Sequence, residues 1–314
     1  MGSRDKFPFG FPPNNAVNRR TSGKTMGPRP SFPVAPAVVP RTVLPGPTPT
    51  VQEAPTPPKT PIRPPHVGPI LTQEDLMKLV APDAPDISVI FGTYNRINML
   101  KLAVESIRRS VGPFSYEIVI TDGGSTDGSR EWLAAQKDVV LVGARCLEGA
   151  VKAFNQAWSM SRGRYIANFN DDAEYVGNCL ECGAKAFSEA NHANVGQIAF
   201  DLNVPSGGWD AQTINGFYYA NFGLGRRDVV QKICEMQGGP NNYWNPIYHT
   251  YAADCEHSCW VWKLGYRVLR LETGRVRDKN SRDGLRAQNE SINETKGDGH
   301  LFWSRWPSQD SLRP

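Results

Sequence analysis

A short apolar run, Tyr165-Ile-Ala-Asn-Phe169, passes without a spacer into Asn170-Asp171-Asp172. The run has the length and composition of a buried strand. Carboxylates at the end of such a strand are costly unless a cation meets them, and in an open α/β sheet that edge is where ligands bind. Two adjacent carboxylates offer hard oxygens to Mg²⁺ or Mn²⁺ carrying a diphosphate. Read alone, the tripeptide is more readily an ordinary solvated turn; the flanking segments reverse that preference.

Those segments alternate. Strands are predicted at Ile87–Phe91, Tyr116–Thr121, Val139–Val142 and Arg164–Phe169, with helices at Asn98–Ser110, Ser129–Gln136 and Ala150–Ser161 between them. Leu100, Val104 and Ile107 mark the apolar face of the first helix, and Ser129 is the expected cap of the second. Further on, a helix is expected at Asn178–Ala190 and a strand at Val195–Phe200, then a helix near Ala252–Leu264 and a strand at Tyr266–Leu271. Short turns between alternating strands and helices imply a doubly wound, mostly parallel sheet with flanking helices.

Proline sets the N-terminal boundary. Residues 1–70 hold 18 of the 26 prolines and nine Lys or Arg against two acids, a net charge of +7. The whole chain carries +4, so the remainder is at −3. We expect residues 1–70 to be a disordered, Pro-rich basic tail, either a solvated spacer or a docking arm for a partner. Residues 71–85 form a linker or short helix, Thr72–Val80, and 86–278 the folded domain; residues 279–314 are a C-terminal extension with no assigned role. The acidic body lacks the electropositive face of a duplex binder, which argues against a nucleic-acid partner. No apolar run reaches the roughly 18 residues of a membrane span, and no secretory signal is evident at the N-terminus. Six cysteines are too few for a disulfide framework, so a reduced, cytoplasmic setting is expected. Cys179 and Cys182 have zinc-like spacing, but ordinary thiols on helices explain them as well.

Three loops follow three strands and meet at one sheet edge. Gly92-Thr93-Tyr94-Asn95-Arg96 offers a hydroxyl, a ring for stacking, an amide and a cation. The second loop, Asp122-Gly123-Gly-Ser-Thr-Asp-Gly128, lets backbone approach a ligand, with Asp122 placed to accept from a base or ribose. Asn170-Asp171-Asp172 is the third. Together they describe a site for a nucleoside diphosphate, with Arg96 and Lys152 as phosphate candidates. In Tyr251-Ala-Ala-Asp254-Cys-Glu256, Asp254 is a candidate general base and Glu256 either an acceptor contact or a helix-end charge.

At this point the sequence resembles glycosyltransferase family 2. The likeness lies in Ile87-Ser-Val-Ile-Phe-Gly-Thr-Tyr-Asn-Arg96, Glu117-Ile-Val-Ile-Thr-Asp-Gly-Gly-Ser-Thr-Asp-Gly128, Gly163-Arg-Tyr-Ile-Ala-Asn-Phe-Asn-Asp-Asp172 and Ala253-Asp-Cys-Glu256 with Lys263-Leu-Gly-Tyr266. It implies a GT-A type α/β fold over about residues 86–278 and transfer of a sugar, with inversion, from a nucleotide-diphosphate donor. The donor-binding candidates are Thr93, Tyr94, Arg96, Asp122, Gly123, Lys152, Asp171 and Asp172; by the same match Mn²⁺ or Mg²⁺ rests on Asp172 with Asp171 assisting, and Asp254 takes the base position. Asp278 lies where the family's late metal-binding His is missing. Asn170 stands for the usual first Asp, Ala253 for the Glu before the base, and Trp260 for an Arg. Those departures keep a non-catalytic scaffold reading open. A nucleotidylyltransferase would want more than the single glycine of Gly92–Arg96. The acceptor, a glycan, lipid-linked sugar or protein, is expected over residues 203–250 at Trp209, Tyr219 and Trp244, with Glu256 nearby.

Overall fold

The computed structural model describes residues 83–189, 192–204, 207–279 and 283–314. The tail over 1–70 and the helix Thr72–Val80 lie outside the described residues.

The first half follows the sequence closely. Strands β1 (Ile87–Thr93), β2 (Tyr116–Asp122), β3 (Val139–Gly143) and β4 (Tyr165–Asn168) stand in the order β3-β2-β1-β4, all parallel. Ile87, Val89, Ile90 and Phe91 are fully buried, as are Ile118, Val119 and Ile120, because helices cover both faces of a parallel sheet. The crossovers are α1 (Ile97–Ser110), α2 (Ser129–Ala134) and α3 (Ala150–Met160). Leu100, Val104 and Ile107 form the buried stripe of α1, as their spacing requires. Ser129 does not cap α2. Asp127 does more there: its carboxylate accepts from Ser129 N at 3.0 Å and from Ile97 N at 2.9 Å, tying the second loop to the start of α1.

Beyond β4 the sheet continues as β10 (Gly223–Arg226), β6 (Val195–Asn203), β11 (Arg267–Asp278) and β5 (Ala173–Val176), with β7 (Trp209–Asp210) paired to β6. Strands β10, β5 and the short β7 run against the others, so the sheet is mainly, not wholly, parallel. Only residues 169–172 join β4 to β5, although three strands separate them in the order. The sheet must therefore curl, and the Asn-Asp-Asp turn is the link that the curl brings across. A small hairpin of β8 (Thr213–Ile214) and β9 (Phe217–Tyr218) stands apart.

Helix α4 (Cys179–Ala186) is shorter than expected, whereas α5 (Arg227–Met236) was not foreseen; α6 is Ala253–Lys263. Val229 and Ile233 of α5 and Val261 of α6 share an apolar cluster with Ala199, Ala220 and Val268. The C-terminal extension is part of this body. It forms α7 (Gly284–Lys296), α8 (Asp298–Arg305) and α9 (Gln309–Leu312), and it buries Phe302, Trp306 and Leu312. All six cysteines are free thiols, with Cys179 buried.

Gly163, entering β4, has a structural reason. Its N–H donates to Ser88 Oγ at 2.7 Å, and Ser88 donates to buried Glu117 at 2.7 Å. A Cβ at 163 would stand 2.5 Å from Ser88 N. Gly163→Ala should therefore cost about 1–3 kcal/mol through overpacking, read as a lowered Tm; an unchanged Tm contradicts the tight packing.

Candidate active site

The three loops converge as expected. Thr93 Oγ1 donates to Asp171 Oδ2 at 2.8 Å, joining the first loop to the third. Gly123 N donates to Thr93 O at 2.9 Å, Asn95 N to Ser125 Oγ at 2.9 Å and Thr126 N to Asn95 Oδ1 at 2.7 Å, lacing the first to the second. Asn95 takes a left-handed backbone (φ 51°), which an Asn side chain tolerates. Asp122 turns inward: it is fully buried and accepts from Gly124 N, Ser125 N and Arg130 Nε. Its carboxylate orders the glycine-rich loop.

Asp171 and Asp172 meet arginines. Arg96 Nη1 lies 2.8 Å from Asp171 Oδ1 and 3.3 Å from Asp172 Oδ2. Its other edge holds Asp283, the N-cap of α7, through two hydrogen bonds of 2.8 Å. Arg286, one turn into α7, reaches Asp172 Oδ2 at 3.4 Å. Three carboxylates thus face two guanidiniums. Burial pushes Asp171 up to about 6 in spite of Arg96. Asp278 sits opposite Ala173 in the β5–β11 ladder, and Lys279 N donates to Asp172 O at 3.1 Å. Among the described residues no three His, Cys, Asp or Glu side chains gather as a metal cluster. The donor set still suits Mg²⁺ or Mn²⁺, which bind through one or two carboxylates when substrate phosphates and water complete the shell.

The base candidate connects to the same edge. Asn168, at the end of β4, donates to Asn221 O at 2.7 Å, and Asn221 Nδ2 donates to Asp254 Oδ2 at 3.2 Å. Asn168 Oδ1 remains buried without a partner, a cost of the kind that accompanies functional sites. Asp254 opens α6. It keeps some contact with solvent, yet burial pushes the carboxyl up to about 6. Ala252, two residues earlier, is a buried non-glycine residue with φ 65°, so the chain enters α6 through a strained turn.

The expectations for Glu256, Trp244 and Tyr219 as acceptor contacts are corrected. Glu256 is fully buried and faces no acceptor. It accepts from Asn245 Nδ2 (2.7 Å), the Tyr248 hydroxyl, Trp260 Nε1 (3.3 Å), Arg305 Nε and Nη2 (2.9 and 3.0 Å) and Trp306 Nε1 (3.1 Å). Burial opposes its charge, but these donors hold it below the ordinary carboxylate range. Trp244 is core: its ring stacks on Phe154 at 3.7 Å between centroids, and its backbone N–H donates to Asn155. Lys152 is an exposed residue of α3 paired with Glu148, one turn away. Tyr219 is buried, its hydroxyl on Gln212, and burial above all, with Cys255 and Asp254 nearby, disfavours its ionisation. Trp209 is half-buried on β7 with the Arg275 guanidinium 5.5 Å from its ring.

Asp283 and Arg286 escaped the sequence reading. Asp283 ahead of a helix-forming run is a legible cap, and its side chain does accept from Arg286 N at 2.9 Å. Nothing in the linear pattern puts Arg286 beside Asp172, 114 positions earlier.

The family model described as Glycosyl transferase family 2 matches residues 88–240. Solved structures resemble this chain at low identity. The mannosyltransferase PcManGT from Pyrobaculum calidifontis, in complex with GDP-Man and Mn²⁺, aligns at TM-score 0.48 and 19% identity, covering 67% of this chain and 62% of that one. S. aureus TarS aligns at TM-score 0.50 and 14% identity, covering 72% of this chain and 44% of that one. The chain thus spans less than two thirds of either, and the likeness is one of fold, the GT-A type α/β architecture. No curated protein matches the chain in sequence. No helix among the described residues is long and apolar enough to cross a membrane.

Proposed function

We propose, from the match of residues 88–240 to the glycosyltransferase family 2 model, that the chain transfers a sugar, with inversion, from a nucleoside diphosphate donor to an acceptor hydroxyl. The observation that carries the reading is the convergence of the loops after β1, β2 and β4, with Asp254 tied to the end of β4 through Asn168 and Asn221.

Thr93, Tyr94, Asp122 and Gly123 serve the nucleoside side, Asp122 by holding its loop in shape. Arg96 serves the diphosphate, kept in place by Asp171 and Asp283. A divalent cation, Mn²⁺ or Mg²⁺, is held by Asp172 with Asp171 behind it, and when bound it offsets the charge that builds on the leaving diphosphate. Asp254 takes the proton from the acceptor hydroxyl as that oxygen attacks the anomeric carbon from the face opposite the diphosphate. Its raised pKa brings a carboxylate nearer the range in which a general base works well. The acceptor, a glycan, lipid-linked sugar or protein, approaches past Trp209.

Asp172→Ala should abolish the Mn²⁺ dependence of donor affinity, measured by calorimetric titration with and without Mn²⁺. An unchanged metal dependence contradicts the role given to Asp172.

A further inference from the structure

Between β9 and β10 the chain runs without regular structure through Tyr219-Ala220-Asn221-Phe222. A segment of this kind is ordinarily mobile. Here each of its four residues is held from outside. Tyr219 N donates to Gln212 O at 3.1 Å, Ala220 N to Ser258 Oγ at 3.1 Å and Phe200 N to Phe222 O at 3.1 Å. Asn221 O accepts from Asn168 Nδ2 at 2.7 Å. Ser258 lies four residues after Asp254, on the same face of α6, and its hydroxyl reaches Gln197 Oε1 at 2.8 Å. The segment is thus tied twice to one helix face, through Ala220 to Ser258 and through Asn221 Nδ2 to Asp254 Oδ2 at 3.2 Å. Asn168 serves this arrangement at a cost. Among the described residues its own carbonyl has no partner, in a buried strand position where an apolar side chain would leave nothing unsatisfied.

We propose that Asn221 is a positioning residue for the base: its amide sets the plane of the Asp254 carboxylate and steadies the charged form. The outer torsion of an aspartate is broad, so a carboxylate with no outside donor spreads over orientations that miss an incoming hydroxyl. Among the described residues no cation pairs with Asp254, and its other hydrogen bonds come from Cys255 and its own backbone. The titratable groups around it are Cys255 and Cys259 on α6, Tyr219 beside Asn221, and Tyr243 ahead of α6. Burial above all pushes these four up, so they are neutral at pH 7. The amide of Asn221, fixed from outside the helix, is what the carboxylate is aimed by. The proposal rests on the base role given to Asp254 above and adds the residue that orients it.

The test follows release of nucleoside diphosphate by the full chain from UDP-glucose, GDP-mannose and TDP-glucose, each saturating and with Mn²⁺, across pH. With whichever donor the wild type turns over, Asn221→Ala should lower the alkaline plateau about tenfold, because an unaimed base is seldom in line. The midpoint of the acid limb should move up by about one pH unit. The sign follows from the bond: a donor to the charged form holds a carboxyl down, and its removal lets the pKa rise. Asn221→Asp keeps the shape and loses the donor. It should lose at least as much turnover and shift further, since two facing carboxylates resist joint ionisation. Nucleoside diphosphate affinity with Mn²⁺ should stay at the wild-type level in both variants. A merely structural residue would leave the midpoint alone, and a packing role would survive in Asn221→Asp. A wild-type plateau or midpoint in Asn221→Ala, wild-type turnover in Asn221→Asp, or weakened nucleotide binding in both overturns the proposal while the base reading stands. No turnover by the wild type, or turnover undiminished in Asp254→Asn, removes that reading and this proposal together.

Discussion

Asp254→Asn should lower sugar transfer by about 10²–10⁴-fold, the usual contribution of a general base, while nucleoside diphosphate affinity stays at the wild-type level. The amide keeps the shape of the carboxylate and can still face Asn221, so the fold at the start of α6 is preserved. What it cannot do is accept the hydroxyl proton. The wild-type rate should also rise with pH through about 6, as the carboxyl raised by burial ionises. The sign follows from the role: the base works deprotonated, so activity belongs to the alkaline side of that pKa. In Asp254→Asn the residual rate should lose this limb. Transfer at the wild-type rate, or a variant that keeps the same limb, removes Asp254 as the base.

The second large effect is on stability. Glu256→Ala should lower the unfolding free energy by roughly 3–5 kcal/mol, the cost of breaking a buried charge pair from one side. Tyr248, Asn245, Trp260, Arg305 and Trp306 would each lose the acceptor they now share. For a domain of this size that corresponds to roughly 10 °C in Tm. Because Glu256 is held below its unfolded pKa, its contribution is full above about pH 4.3 and falls away as pH drops through the depressed value. The gap between variant and wild type should accordingly narrow in acid. A Tm within a degree of wild type at neutral pH contradicts the structural role. The location gives this network a second meaning. Arg305 ends α8 and Trp306 is its C-cap, so the C-terminal extension braces the helix that carries Asp254, while its other end, at Asp283 and Arg286, meets the donor carboxylates. Asp298 adds a third anchor, accepting from the N–H groups of His249, Thr250 and Tyr251 just before that helix.

The half of the fold built from continuous apolar strands was legible, because β1, β2 and β4 are runs of Ile, Val and aromatic residues between glycine, proline and acidic punctuation. Strand β10 was hidden for the opposite reason. Two of its four residues are glycines, and Gly223 is needed there because a Cβ would stand 2.3 Å from Ile198 O. Close packing, not strand propensity, selects that sequence. The meeting of Thr93 with Asp171 follows from parallel strand order and was readable. The burial of Trp244 and Glu256 was not, since an aromatic ring or carboxylate looks alike in a sequence whether it faces a ligand or a core. The ion pairs of Asp283 and Arg286 depend on where the final helices dock, and that docking rests on Phe302, Trp306 and Leu312 in an otherwise polar segment.

The central claim is that Asp172 and Asp254 act in one site on an activated sugar. Donor hydrolysis measures it most directly: the full chain, incubated with nucleoside diphosphate sugars and Mn²⁺ without acceptor, is followed for release of nucleoside diphosphate. The account predicts slow turnover of one donor by the wild type and its loss in both Asp172→Ala and Asp254→Asn. Donors that bind but are never turned over by the wild type, or turnover that survives in both variants, would contradict it.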